Sequence, residues 1–523
     1  MDSDVLFTSE INDLVRNIEE STRSTEEGVK RFVEPAYGTL SRATSRRHHV
    51  VFGRRGSGKS SLLRKAAADL TVDRRPIAYV DLETFKGHSY PDVLISVLIK
   101  TFAEFKKWLE TAAIHPATKT SFWDRLFGSK PNRSAFNKSK AEILSNKLGR
   151  YIQKLTELLH ESDNTEISEI SRNSGEATRT GKLDGSFNAK VAQASGSAIE
   201  SKTEASGNEK QVTYLRSKTN FLHRHIMEYQ SLFQEMAELS DGAAYLFLDD
   251  LYHIRRSDQA SVIDYFHRVA KGNNLWLKIG TIRHRTKWYI HGDPPIGLKM
   301  GDDAEDIDLD LTLEKYATTK DFLKKILASF LENTSSLGVY DILTEGALDR
   351  LVLASGGVSR DFLNIFRQSV SFARERLQSD PNHHRGKKVS AEDVNNASGE
   401  YEAKKRDELS RDTLDDRASL ESEFAAVRDF CFNQAQSNIF LTIKDSMEGW
   451  SHNVQELVDL RLIHKVNSRI TVPSRAGKIY EAYMLDTSQY TGSRTKRNFD
   501  IHEFWHDTNR DKIRKAGLIY KEI

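Results

Sequence analysis

The sequence predicts an α/β core built on a parallel sheet, then a helical region, then a small α+β domain. Three observations predict this. Four short apolar runs, each followed by polar or helical sequence, lie between residues 49 and 280. A glycine-rich run ending in lysine and serine joins the first of them to its helix. After about residue 318 the periodicity turns helical, and after about 417 helices mix with a hairpin pattern. Apolar strands alternating with helices bury a parallel sheet on both faces.

Residues 8–34 form a polar, helical leader that ends at Phe32-Val33-Glu34-Pro35. His49-Val50-Val51-Phe52 is the first strand, and Ile77-Ala78-Tyr79-Val80-Asp81-Leu82 the second. Pro91 opens a helix carrying Val93, Leu94, Val97 and Leu98 on one face. Ala244-Tyr245-Leu246-Phe247-Leu248 is the third strand, followed by an amphipathic helix around Val262–Val269. Leu275-Trp276-Leu277-Lys278-Ile279-Gly280 is the fourth. Residues from about 108 to 240 interrupt this alternation with two polar helices, near 138–160 and 214–240. Between them, about 166–210 is rich in Ser, Gly, Ala, Thr, Glu and Lys, with Phe187 its one aromatic residue. Such a segment buries little surface; it reads either as a mobile loop or as a binding insertion. The expected division is a nucleotide-binding core over 1–317, a helical lid over 318–400 and a C-terminal domain over 417–523. The lid helices are placed at Phe322–Phe330, Ala347–Ala354 and Asp361–Leu377. The last domain is expected to carry a helix at Val454–Leu460 and a hairpin pairing Leu462–Val466 with Arg469–Val472.

At 523 residues the chain exceeds one ordinary core. With 38% apolar and 29% charged residues it has a globular composition. The formal net charge of +2 provides no global basic field, so any nucleic-acid surface is local. The single cysteine, Cys431 between Phe430 and Phe432, excludes an intrachain disulfide and reads as a small core residue. No apolar run has membrane-spanning length, and Met1-Asp2-Ser3-Asp4 lacks the start of a signal peptide. The expectation is a cytoplasmic protein with no membrane partner.

Gly53-Arg54-Arg55-Gly56-Ser57-Gly58-Lys59-Ser60 completes the pattern G-x-x-x-x-G-K-[ST], continuing into Ser61 and a helix. The glycines let backbone N–H groups converge on phosphate oxygens, and the positive end of the helix adds to that field. Lys59 would reach the β- and γ-phosphates, and Ser60 would hold Mg²⁺. This implies binding of a nucleoside triphosphate. The metal needs a second anchor at the end of a neighbouring strand, which Leu246-Phe247-Leu248-Asp249-Asp250 supplies. Asp249 would fix Mg²⁺ through water. Asp250 would orient the attacking water, or alternatively cap the next helix. Its short side chain points to slow hydrolysis. The fourth strand ends in Thr281-Ile282-Arg283-His284-Arg285. Thr281 would touch the attacking water and Arg283 or Arg285 the transferred charge; the alternative is a surface basic cluster. Ser355-Gly356-Gly357-Val358-Ser359-Arg360 permits a tight turn between two helices, with Arg360 projecting from the second toward a bound γ-phosphate.

These features in this order resemble the AAA+ ATPases, and within them the branch of origin-recognition initiators and STAND switch ATPases. The resemblance implies a P-loop ATPase core with Walker A at Gly53–Ser60 and Walker B at Leu246–Asp250. It also implies a sensor 1 near Thr281, a sensor 2 at Arg360, and ATP with Mg²⁺ as ligands. Residues 424–490 resemble a winged helix. Proteins of this kind often sit in bacterial anti-phage or mobile-element operons. One departure matters: no arginine lies between Thr286 and Asp349, where ring-forming relatives place a trans-acting one. Lys299 does not reproduce its planar fork. This favours a slow switch, or a homo-oligomer or partner protein that completes the site.

Two further readings follow from the C-terminal region. Arg461, Lys465, Arg469, Arg475, Lys478, Arg494, Lys496 and Arg497 would let the last domain bind DNA phosphates, as an initiator or loader does. His502-Glu503-Phe504-Trp505-His506 has H-E-x-x-H spacing, which on a helix would aim two imidazoles at zinc; the alternative is a chance match in an amphipathic terminal helix.

Overall fold

A computed structural model describes residues 5–21, 31–72, 75–114, 137–180, 217–239, 242–332, 337–412, 417–444, 448–494 and 498–520. Residues 181–210 of the low-complexity segment, and Lys496 and Arg497, lie outside the described residues. No described helix is long and apolar enough to cross a membrane.

The core strands are β1 (His49–Phe52), β2 (Ile77–Asp81), β3 (Ala244–Asp249) and β4 (Leu275–Thr281). A short hairpin of β5 (Tyr289–Ile290) and β6 (Ile296–Gly297) follows, then β7 (Glu305–Asp308). The main sheet runs β2-β3-β4-β1-β7, and every pairing in it is parallel. The fold is therefore α/β on a parallel sheet, as the apolar runs predict. β4 is inserted between β1, which feeds the phosphate loop, and β3, which carries the paired acids. β7 was not legible in the sequence, because Glu305-Asp306-Ile307-Asp308 buries only Ile307 at the sheet edge.

One face of the sheet packs against the helix Asp92–Ile114 and against Arg256–Ala270. The interrupting helices join this layer. Leu144, Leu148, Tyr151, Leu155 and Leu158 recur at helical spacing along Lys138–Thr180 and are buried beside Tyr229 and Phe233 of Ile226–Ala237. Phe102 meets both Tyr229 and Phe233, at centroid distances of 5.1 and 5.9 Å. The opposite face receives the helix Lys59–Val72 through Leu62, Leu63, Ala66 and Leu70.

The helical region contains Tyr316–Leu331, Glu345–Ser355, Ser359–Ser379 and Ala391–Asp412. The leader helix Ser9–Glu20 packs on it with Ile11, Leu14 and Ile18, away from the parallel sheet. Beyond it come the helix Arg417–Asp429, β8 (Ile439–Ile443), the helix Glu448–Asp459, β9 (Ile463–Ile470) and β10 (Tyr480–Leu485). They form an antiparallel sheet of order β8-β10-β9. The expected hairpin turn at 467–468 is displaced. β9 runs unbroken through Asn467 and Ser468, and the connection falls at 471–479, where Pro473 and Gly477 (φ 81°) break the strand. This small sheet is buried on both faces. Leu441, Ala482 and Met484 share one hydrophobic cluster with the lid helices, while Phe440, Tyr483 and Leu485 pack against Val427, Val454 and Leu457.

Candidate functional site

A cleft lies where the phosphate loop faces the helical lid. Its polar wall is the run Arg55–Ser61 with Arg64, Glu83, Asp250 and Arg360. Its apolar wall comprises Phe32, Val33 and Pro35 before β1, Leu309 after β7, and Phe322, Ile326, Phe330 and Leu363 of the lid. The guanidinium of Arg31 stands 5.2 Å from the centroid of Phe330. One cleft thus joins a cationic, N–H-rich half to a flat apolar half.

The loop geometry follows from its sequence. Gly56 and Gly58 have φ of 86° and 99°, conformations that L side chains rarely adopt. Gly53 leaves space for the Ser57 hydroxyl, which a Cβ would approach to 2.3 Å. Ser57 lines the cleft, and its Oγ is buried with no hydrogen-bond partner among the described residues. A buried, unsatisfied hydroxyl is costly unless a ligand completes it. Lys59 Nζ donates to the carbonyls of Gly53 and Arg54 at 2.9 and 3.2 Å. Burial lowers the lysine pKa; Asp250, then Asp249, oppose that shift.

Asp249 and Asp250 end β3 beside this loop. Asp249 is buried and accepts from the Tyr79 hydroxyl at 2.5 Å and from the Asp250 N–H at 3.0 Å. Burial and then the charge of Asp249 push Tyr79 well above the usual tyrosine range. Gly280 on β4 makes room for Asp249, since a Cβ there would lie 2.5 Å from its Oδ1. Asp250 lines the cleft, and burial followed by the Asp249 charge pushes its carboxyl up to about 7.

Arg360 and Ser359 open the lid helix Ser359–Ser379 and reach the loop directly. The Arg360 N–H donates to Gly56 O at 3.2 Å, and a Cβ on Gly56 would lie 2.8 Å from that of Arg360.

Other expected site residues point elsewhere. The Arg54 N–H and Nε both donate to Asp310 Oδ1, at 2.8 and 3.2 Å. Its Nη2 donates to Leu311 O and Gly356 O. Its side chain therefore ties the loop to the lid turn and not to the cleft. Arg283 ion-pairs with Asp306 and Asp308 of β7 and stacks over Phe52 at 4.0 Å, again outside the cleft. Thr281 is fully buried, with its hydroxyl 2.5 Å from that of Thr286. Arg285 lies near Asp459, whose carboxyl burial and Asp310 push up to about 7 against the pull of Arg285 and Arg54. Arg31, Arg64 and Glu83 line the cleft without having been singled out in the sequence. Of these, only Arg64, one helical turn past Ser60, carried a positional signal.

The C-terminal candidates also separate. Arg461 is buried in an ion pair with Asp361 at 2.7 Å, Lys465 pairs with Glu481, and Arg494 with Glu402. Arg469 and Arg475 are exposed around the β9–β10 connection. Residues 501–506 are not helical, so the i, i+4 geometry assumed for His502 and His506 is not formed. No group of three or more His, Cys, Asp or Glu among the described residues could hold a metal. Of the two residues expected to hold Mg²⁺, Ser60 lines the cleft, whereas Asp249 is not part of its lining.

No protein-family model matches the chain, and no curated protein does. Among solved structures, it is similar to the Aeropyrum pernix Orc1 protein in complex with DNA, at 13% identity over 92% of this chain and 90% of that one, with a TM-score of 0.32. At that identity and TM-score no property of that protein transfers to this chain.

Proposed function

We propose that the chain is an ATPase that works as a slow molecular switch, binding ATP with Mg²⁺ in the cleft between the parallel sheet and the lid. The observation that carries this reading is the two-sided cleft. The glycine-curled loop and Arg360 of the lid, bonded through its backbone to that loop, line the polar wall, and Phe32, Phe322 and Phe330 belong to the apolar one. The loop N–H groups and Lys59 would hold the phosphates, and the apolar wall the base. Ser60 and Asp249 would hold Mg²⁺, which supplies charge neutralisation for the phosphates. Arg360 would register the terminal phosphate, and its helix is continuous in packing with the C-terminal sheet. Closure at the nucleotide would thereby reach the last domain. Slow turnover is supported by the absence of arginine between Thr286 and Asp349. In the AAA+ frame this is a switch and not a ring motor.

Titration with a fluorescent ATP analogue tests the reading. Lys59→Ala should weaken affinity at least 100-fold, and equal affinity in the two proteins would sink the assignment. Arg360→Ala should bind with less than a 10-fold loss yet fail to show the nucleotide-dependent protection of the lid seen by hydrogen exchange in the parent.

A second reading, DNA binding through a winged-helix-like C-terminal domain, is favoured by one feature. Arg514 Nε and Nη2 donate to Thr471 at 3.0 and 3.1 Å, bringing exposed Lys512, Arg514 and Lys515 up to the β9–β10 connection with Arg469 and Arg475. A composite basic surface of this kind meets phosphates. Duplex binding by the full chain should weaken steeply between 50 and 200 mM salt, and Arg469→Glu with Arg475→Glu should flatten that slope. Salt-insensitive binding counts against it.

A further inference from the structure

We propose that Glu83 is the catalytic carboxylate that takes the proton of the water attacking the terminal phosphate. This rests on the cleft being an ATP site.

Glu83 is placed by two turns that follow neighbouring strands. β2 and β3 pair in parallel with Asp81 opposite Asp249, so both chains leave the sheet at the same edge. Asp81 Oδ1 accepts the N–H of Glu83 at 3.0 Å and starts the short turn Leu82–Phe85. Buried Leu82 and Phe85 anchor that turn on either side of Glu83. The side chain of Glu83 is left on the cleft wall with Lys59, Ser60, Asp250 and Tyr252. The turn Leu251–His253 after β3 brings His253 Nε2 to 3.9 Å from Glu83 Oε1. The same wall includes Ser57, whose buried hydroxyl has no hydrogen-bond partner among the described residues.

Asp250 is occupied differently. Its backbone is left-handed (φ 56°) and its N–H is turned onto the Asp249 carboxylate at 3.0 Å, which fixes its short side chain at the strand end. Glu83 is longer by one methylene and half-exposed, at 58%. Its carboxylate can therefore reach a water in the cleft.

The proposed step balances as follows. The water oxygen bonds to the γ-phosphorus while one of its protons passes to the Glu83 carboxylate. The bond from that phosphorus to the bridging oxygen breaks, and its electron pair stays on that oxygen, where Lys59 meets the charge. ADP and phosphate leave, and Glu83 releases its proton to solvent.

The test measures ATP affinity and single-turnover hydrolysis in the full chain. Glu83→Gln should keep affinity within threefold and lower the hydrolysis rate at least 100-fold. Glu83→Asp should lower it 10-fold or more with affinity retained, which separates reach from folding. A Glu83→Gln rate within threefold of the parent overturns the proposal, as does a parent that binds ATP and does not hydrolyse it. Failure of the underlying reading is distinct: there the parent and Lys59→Ala bind ATP equally.

Discussion

Among the described cleft residues other than glycine, Asp250 is the one with a left-handed backbone (φ 56°). Such a conformation costs an L residue about 1–2 kcal/mol and persists where surrounding structure imposes it. Its carboxyl is raised from the ordinary range to about 7 by burial and by Asp249. Between about pH 4 and 7 the folded chain therefore keeps a proton that the unfolded chain has released. Asp250 costs stability progressively as pH rises through that window, and the full cost is present above it. Asp250→Asn should stabilise the nucleotide-free protein by roughly 1–3 kcal/mol at pH 8 and by little at pH 4.5. Urea unfolding at the two pH values measures this; a gain independent of pH would contradict it. Of the residues expected at the site, Lys59, Ser60 and Arg360 line the cleft, placed by the loop and the glycine turn, while Asp249 ends its strand as expected but does not line it. Arg54 and Arg283 were not legible from sequence, because their side chains follow partners far along the chain, Asp310 and Asp308. Glu83 escaped because no motif marks a turn two residues past a strand.

The strands of the parallel sheet were readable as elements because burial on both faces makes each an unbroken apolar run. β7 was not, since an edge strand buries one residue in four and can carry charge. The β9–β10 connection was misplaced because Asn467 and Ser468 have turn-forming side chains. In the fold, Ser468 N–H donates to Glu314 Oε1 at 2.9 Å, so the strand continues. The lid turn Ser355–Val358 has a role beyond reversing the chain. Gly356 sits at φ 56°, its carbonyl accepts from Arg54, and a Cβ there would lie 2.0 Å from His464 Nδ1. His464 Nε2 in turn meets Asp486 at 2.7 Å, which also receives Lys405 at 2.6 Å. Gly356→Ala should therefore destabilise the protein by about 3 kcal/mol, combining a left-handed alanine with overpacking against a buried ring. Gly346→Ala, with nothing within 4 Å of its Cβ, should change stability by less than about 1 kcal/mol. Equal effects of the two substitutions in denaturant unfolding would refute the wedge.

At the scale of the whole molecule, the sequence divided the chain by composition, whereas packing joins what composition separates. The leader helix, the lid helices and one face of the C-terminal sheet form a single hydrophobic cluster. The buried pair Arg461–Asp361 and the triad of Lys405, Asp486 and His464 cross the same junction. Breaking such a pair from one side strands a buried charge at a cost of about 3–5 kcal/mol, so the two parts are held in one relative position. That rigidity is what an ATP-driven closure would act through, with Arg54 spanning from the phosphate loop to the lid turn.

The small sheet has two margins, and each is occupied by sequence from outside its three strands. Along β8, Ser437 bridges to Asp500 and Leu441 to Ile519, where the Tyr520 N–H donates to Leu441 O at 2.8 Å. Along β9, the turn Leu313–Lys315 presents Glu314 to Ser468. Open strand margins recruit strands from other chains, and here both are guarded in cis. A fragment cut at 417 would keep the guard on β8 and lose the one on β9. The β9 margin would then be open, and a fragment beginning before Leu313 should self-associate less than one cut at 417.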